Sequence, residues 1–273
     1  MNDKNKFDPQ YDGPYEVSAL ELQIEGEVFK GVVYFPPETY SKPYPVILYF
    51  HGFPQLFSLP EIVKKYKYLL DAGFAFVVVN FRGYQYSEGT VSLSSQVSDG
   101  LKLIEFAKKM GEKNIFDIDN INLLAHDLGA YIALIVCSKT STIDKVLLLH
   151  PIIDLRKHVY EEGFLGVLQY INRFLPRNVR GVENAEKFIE MTKSELSRDD
   201  FKLETTLKNL QVNSLKIIIG DEDKVTPLSE LDVFDQIDKP YRDVDLCVIE
   251  NIDHEPIDDE KIQKIAKEIQ NFF

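Results

Sequence analysis

The chain has 273 residues, 44% of them hydrophobic, which is enough for one large α/β domain with an inserted segment and a real core. It carries 31 basic and 44 acidic residues, a net charge of −13, which argues against nucleic acid and anionic membrane surfaces as partners. No apolar run approaches membrane-spanning length, and Cys137 and Cys247 sit in apolar runs as small core residues of a reducing compartment.

The first fifteen residues are polar, hold Pro9, Gly13 and Pro14, and lack a basic segment followed by an apolar one. No signal peptide is therefore expected, and the expectation is a soluble, cytoplasmic protein. Residues 17–25 and 28–35 alternate like strands around Gly26-Glu27 and predict an antiparallel hairpin. Pro45 to Phe50 is a continuous apolar run, the pattern of a strand buried on both faces, and it ends in His51-Gly52-Phe53-Pro54. Residues 59–72 have helical apolar spacing closed by Gly73. Phe74 to Val79 reads as another buried strand, leading into Phe81-Arg82-Gly83-Tyr84-Gln85-Tyr86, where Arg82-Gly83 reads as a loop anchor. A helix is predicted from about Ser95 to Met110, stopped by Gly111.

Ile121 to Leu134 is the stretch around which the rest is organised. It starts as an apolar strand, turns through Ala125-His126-Asp127-Leu128-Gly129 and continues as an apolar helix. A strand follows at Lys145–His150. From 152 to 211 the pattern is helical only, broken at Pro176 and Gly181. Strand character returns at Ser214–Gly220, then a helix near 228–237, a strand at Asp243–Glu250 and a closing helix from Asp258 to Phe273. Buried strands alternating with helices predict an α/β fold with a mostly parallel sheet of about eight strands, covered on both faces.

The turn at 125–129 has the form of a nucleophile elbow, with small residues flanking one raised side chain. It resembles that of the α/β-hydrolase superfamily, and its Asp apex resembles the epoxide hydrolase and haloalkane dehalogenase branches. Phe81-Arg82-Gly83 with Ser87-Glu88-Gly89, the helix at 129–134 and the loop Gly220 to Pro227 are similar to dienelactone hydrolase and serine aminopeptidase relatives. The resemblance implies a core of 1–151 and 212–273 with a helical cap of 152–211. It also implies the order nucleophile, acid, histidine, and the chain supplies Asp127, Asp223 and His254 in that order. The Leu128 amide and the Phe53 amide of the H-G-x-P loop would be the oxyanion donors. His51 reads as a residue that ties its loop, at the edge of the pocket.

The chemistry of the apex points the same way. A carboxylate is ionised at pH 7 and needs no base to attack. Attack on an ester carbonyl would give an anhydride, uphill from the ester. Attack on a saturated, polarised carbon gives an alkyl ester, which water activated by His254 can hydrolyse, with Asp223 orienting the imidazole. The expected substrate is thus a small apolar molecule with an epoxide or, less favoured, a carbon–halogen bond, and no cofactor or metal is called for. Dehalogenases hold a leaving halide with tryptophan, which this chain lacks. Epoxide hydrolases use cap tyrosines, for which Tyr160 and Tyr170 are candidates, with Tyr84 and Tyr86 near the expected pocket mouth. The stripe Leu165, Leu168, Tyr170, Ile171, Phe174 and Leu175 also reads as cap packing. Two alternatives stay open: a non-catalytic binding protein on a serine-hydrolase scaffold, and a hydrolase that activates water with His254 without a covalent step.

Overall fold

A computed structural model describes residues 15–236, 244–254 and 258–273. The N-terminal stretch read for a signal peptide up to Pro14, position 237 of the penultimate helix, Asp243 and Glu255 lie outside the described residues. The elements in order are β1 (Val17–Ile24), β2 (Glu27–Tyr34), β3 (Tyr44–Phe50), α1 (Leu59–Lys65), α2 (Lys67–Asp71), β4 (Ala75–Asn80), α3 (Leu93–Glu112), β5 (Phe116–His126), α4 (Leu128–Cys137) and β6 (Lys145–Leu149). After them come α5 (Leu155–Tyr160), α6 (Glu162–Phe174), α7 (Ala185–Leu196), α8 (Leu203–Lys208), β7 (Ser214–Gly220), α9 (Val233–Gln236), β8 (Asp245–Ile249) and α10 (Asp259–Phe272).

The eight strands form one sheet in the order β1-β2-β4-β3-β5-β6-β7-β8. Only the β1–β2 and β2–β4 pairings are antiparallel; the pairings from β4 through β8 are parallel. The sequence reading of an eight-stranded, mostly parallel sheet holds. β3 shows why its apolar run is continuous. Val46, Leu48 and Phe50 face one core layer, and Ile47 and Tyr49 face the other. Each such side chain contributes about 1.5–3 kcal/mol on burial.

Several boundaries differ from the sequence reading. The segment 59–72 is two short helices meeting at Tyr66, not one. α3 starts earlier, at an N-cap formed by Ser92 and Ser95, and runs through Gly111, which is helical and stops nothing. β5 begins at Phe116, before the apolar run: buried Phe116 pairs with Tyr44, and the register then shifts so that pairing with β3 resumes at Ile121, past the mostly polar residues 117–120. The segment between β6 and β7 holds α5 to α8 and a short 3-10 turn at Asp199–Phe201.

Register sets the position of the site. Phe50 pairs with Ala125, His126 with Leu149, and Gly220 with Ile249. The parallel strands therefore end level with one another, and the loops that leave them open on one crevice, as expected outside the carboxyl ends of such a sheet.

Candidate active site

Asp127 sits at the β5–α4 junction with φ 53° and ψ −123°, a conformation that side chains rarely adopt. Its backbone is held on three sides: its N–H donates to the Leu149 carbonyl at 3.2 Å, and its carbonyl accepts from Ala130 at 3.0 Å and Ile152 at 3.2 Å. The tight turn demands glycine at two neighbours. A Cβ on Gly129 would lie 2.4 Å from the Phe50 carbonyl oxygen, and one on Gly52 would lie 2.5 Å from Asp127 Oδ2.

The Asp127 carboxylate is buried and its two oxygens have different partners. Oδ2 accepts the Phe53 N–H at 2.8 Å. Oδ1 lies 3.4 Å from Nε2 of His254. Leu128 is the first residue of α4, where an N–H has no partner within the helix. Behind His254, its Nδ1 donates to Asp223 Oδ2 at 3.0 Å. Asp223 also accepts the Val225 and Thr226 amides, each at 2.9 Å. The two loops that carry these groups are stapled together. The Glu222 N–H donates to Ile252 O, and the Lys224 N–H donates to Asp253. The structure thus brings together Asp127, His254, Asp223 and the amides of Phe53 and Leu128.

The electrostatics follow from this packing. Burial acts to lower the His254 pKa, but its bonds to Asp127 and Asp223 outweigh that and push it up to about 10. Burial acts to raise Asp127 and Asp223, and their imidazole and amide partners hold both below the ordinary carboxylate range. The resting centre is therefore an imidazolium between two carboxylates at neutral pH.

Two histidines that sequence reasoning passed over complete the edge. His126 ends β5, and burial drives its pKa down to about 3. His150 follows β6 with φ 43°, is buried, and places Nδ1 3.4 Å from Asp223 Oδ2. The rings of His126, His150 and His254 lie 5.8–6.5 Å apart. The usable signal was that both end parallel strands beside the elbow strand's own turn. Ligand atoms of His150, Asp223 and His254 all lie within 4.8 Å of one another, close enough for one divalent ion to bridge. In this structure Asp223 joins the two imidazoles by hydrogen bonds.

Above the centre is a pocket of 1210 Å³, walled by Phe53, Leu128, Ile152, Leu155, Phe164 and Phe188 among others. The expected pocket residues are not in its wall. His51 is a tie: its Nδ1 bonds the Gly52 carbonyl at 2.9 Å and its Nε2 accepts the Phe81 amide at 3.3 Å. Burial lowers its pKa to about 4 and keeps it neutral. Tyr84 is fully buried edge-on against His51, with ring centroids 4.5 Å apart. Tyr86 is 59% exposed, because Arg180 pins its loop through the carbonyls of Gln85, Ser87 and Gly89. Arg82 anchors the same loop through buried Asp99 at 2.6 Å. Tyr160 points outward between Arg156 and Lys193. Tyr170 packs at a tilt against Phe174, with ring centroids 4.9 Å apart, on the outer face of α6, while Leu168 and Ile171 face inward. The helical stripe was read as one face; it wraps around the helix instead.

The family profile described as "alpha/beta hydrolase fold" matches residues 45–194, more than half of the chain. The chain belongs to the alpha/beta hydrolase fold family. Among curated relatives of this hydrolase-fold chain, the lysophosphatidylserine lipase ABHD12 of Danio rerio is 28% identical over 142 residues, 50% of this chain and 36% of that one. The Bos taurus counterpart is 25% identical over 187 residues, 61% of this chain and 46% of that one. The chain thus spans less than half the length of these relatives. Among solved structures, Est1E from Butyrivibrio proteoclasticus superposes with a TM-score of 0.69 at 16% identity, covering 93% of this chain and 96% of that one. The Pyrococcus furiosus esterase PF2001 gives 0.68 at 16%, covering 94% and 90%. These structural matches are matches of fold. Among the described residues, no helix is long and apolar enough to cross a membrane.

Proposed function

We propose that this α/β-hydrolase-fold chain is a hydrolase that forms a covalent ester on Asp127, opening an epoxide on a small molecule and then hydrolysing the ester. The observation that carries this reading is the division of labour in the Asp127 carboxylate. Oδ2 occupies the Phe53 amide, where the carbonyl oxygen of an ordinary ester substrate would have to sit. Oδ1 faces His254 and is the oxygen left to attack. The relatives named lipase or esterase support hydrolysis in general, and the occupied amide argues against their bond type here.

In the first step Oδ1 attacks a ring carbon and the carbon–oxygen bond of the epoxide breaks. The new alkoxide takes the proton of the His254 imidazolium. This gives His254 the part once assigned to Tyr160 or Tyr170, which lie outside the pocket wall. Asp127 is now a neutral ester, so one of the two charges that held the His254 proton is gone, and the imidazole, having given that proton up, is a free base. It takes a proton from water as the hydroxide adds to the ester carbon. Oδ2 becomes the oxyanion, already seated on the Phe53 amide and near the start of α4. Collapse breaks the bond from the ester carbon to the alkyl oxygen, which takes the imidazolium proton and leaves as the diol; the new carboxyl then passes its proton to the imidazole, which returns the carboxylate and the imidazolium. Asp223, held by two amides, keeps the ring oriented throughout.

The test is a substrate panel. Terminal epoxides should turn over, and nitrophenyl acetate should not be cleaved through Asp127. Esterase activity that vanishes in Asp127→Ala would overturn the proposal. The second reading, a non-catalytic binding protein, would be favoured if no epoxide, halide or ester reacts with the wild type or leaves an adduct in any variant.

A further inference from the structure

Asp223 is met by more donors than the orientation of one imidazole requires. Its Oδ1 accepts the Val225 and Thr226 amides, and its Oδ2 accepts His254 Nδ1 at 3.0 Å. A second imidazole reaches the same Oδ2. His150 Nδ1 lies 3.4 Å from it, and both side chains are buried. An ionised carboxylate can only accept, so this Nδ1 carries a proton and is the donor. The backbone is built to bring the ring there. The His150 N–H donates to Ile218 O at 2.8 Å, which extends the β6–β7 ladder by one residue. The chain then turns through φ 43°, a region that residues other than glycine rarely enter. Such a conformation persists only where the surroundings hold it, and it is found often at functional sites.

Two donors on one oxygen compete. Each hydrogen bond to a carboxylate favours its charged form and so weakens its pull on any further proton. Burial acts to raise Asp223, and the bonds from His150 and His254 pull it down. With His150 in place, Asp223 still orients His254 but grips its proton less. Neither His150 nor Asp223 is part of the pocket wall, so His150 can reach the reaction only through Asp223. Among the described residues, the titratable groups that face this cluster are His126 and Asp127 at the end of β5, Asp223 after β7 and His254 after β8. Lys65 of α1 acts on His126, and Asp253 is taken up by Lys224.

We propose that His150 is a positioning residue that holds Asp223 Oδ2 with a second Nδ1–H and thereby loosens the hold of Asp223 on the His254 proton. Its consequence for turnover rests on the Asp127 reading. In that cycle His254 must first release a proton to the opening epoxide and then stand as a free base beside the ester. In the ester, Asp127 no longer carries charge and Asp223 is the carboxylate left against the ring. The loosening by His150 matters most at that stage, because it keeps the imidazole unprotonated while water attacks.

The test reads His254 directly and needs no substrate. Asp127→Asn removes one of the two carboxylates against the ring, as ester formation does, and leaves Asp223. In that background, with heavy-nitrogen histidine and a chelator in every buffer, NMR follows the His254 ring nitrogens against pH, assigned by their loss in His254→Gln. Adding His150→Phe should raise the titration midpoint by about half a unit or more, about threefold in proton affinity. Adding His150→Asn, which keeps an N–H donor and tolerates a positive φ, should leave the midpoint near that of the background. An unchanged or lowered midpoint with His150→Phe, or the same rise with His150→Asn, overturns the proposal. His150→Met, with a melting curve matching the background, takes the place of the phenylalanine variant if that one does not fold. If the midpoint rises as expected but no epoxide reacts with the wild type, the Asp127 mechanism fails and the His150 assignment stands. If epoxides turn over and the midpoint does not move, the assignment fails and the mechanism stands. With turnover, hydrolysis of the Asp127 ester in His150→Phe should lose rate first on the acid side, where its base is now protonated.

Discussion

The edge of the sheet and the helical segment 152–211 face each other across one pocket, and they differ in what fixes their side chains. At the edge, positions follow from backbone register. Asp127, His150, Asp223 and His254 come from the ends of successive strands, and each is locked by backbone amides or by the next group in line. In 152–211, positions follow from which face of a helix finds a partner. α6 carries apolar residues on both faces, and Tyr170 and Phe174 fall on the outer one at 56% and 57% exposure. Chemistry should accordingly be concentrated at the edge, with substrate fit supplied by the wall.

The sharpest way to break that division is to remove the attacking oxygen. Asp127→Asn should lower kcat on epoxides by about 10⁴-fold or more, with some loss of melting temperature, because the amide keeps the Phe53 contact but gives up the ion pair with His254. Large residual turnover would place the chemistry elsewhere.

His254→Gln separates the two halves of the cycle. An alkyl halide needs no proton for its leaving group, so this variant should accumulate an alkyl adduct on Asp127 visible by mass spectrometry. With epoxides the adduct should form about 10²–10⁴ times more slowly than the first step in wild type, the span expected for loss of a general acid. Equal adduct rates with both substrates would remove His254 from the first step.

A smaller change at the edge is Gly52→Ala. The added Cβ would contact Asp127 Oδ2, so the carboxylate must leave the Phe53 amide. Turnover should fall by about 10²-fold, the effect of losing one oxyanion donor.

The pH dependence checks the charge state. His254 is raised to about 10 and Asp127 is lowered, so the reactive pair is present throughout the neutral range. kcat/KM should be flat from pH 6 to 8 and fall as pH rises through about 10, where the imidazolium loses its proton. Stability has the same sign. The raised folded pKa stabilises the protein fully below the unfolded histidine value, and that contribution is lost as pH rises through the folded value. Denaturant melts of wild type and His254→Gln should therefore converge at high pH.

The smallest effects belong to the outer face. Tyr160→Phe and Tyr170→Ser should leave kcat within about twofold, as changes at exposed positions usually do. A large loss in either would return the proton to a tyrosine and redraw the pocket.

The same contrast explains what could be read from the sequence. Continuous apolar runs at 45–50 and 121–125 require strands covered on both sides, and the small residues around Asp127 require a tight strand-to-helix turn. Those local patterns carried the sheet and the placement of Asp127, while Asp223, His254, Phe53 and Leu128 followed from the resemblance to the α/β-hydrolase superfamily. Tyr84, Tyr86, Tyr160 and Tyr170 were misplaced because aromatic identity does not say which way a side chain turns; Arg180 and the two-sided α6 decide that. His126 and His150 were missed because each ends an apolar strand and reads there as a boundary.

The most direct test of the central claim is turnover in heavy-oxygen water. After many cycles on a terminal epoxide, the peptide containing Asp127 is isolated and weighed. Because hydroxide adds to the ester carbon, the account predicts that heavy oxygen enters the Asp127 carboxylate during turnover and stays out of the protein without substrate. Sustained turnover with Asp127 unlabelled would mean that water attacks the substrate directly, and would contradict the covalent mechanism.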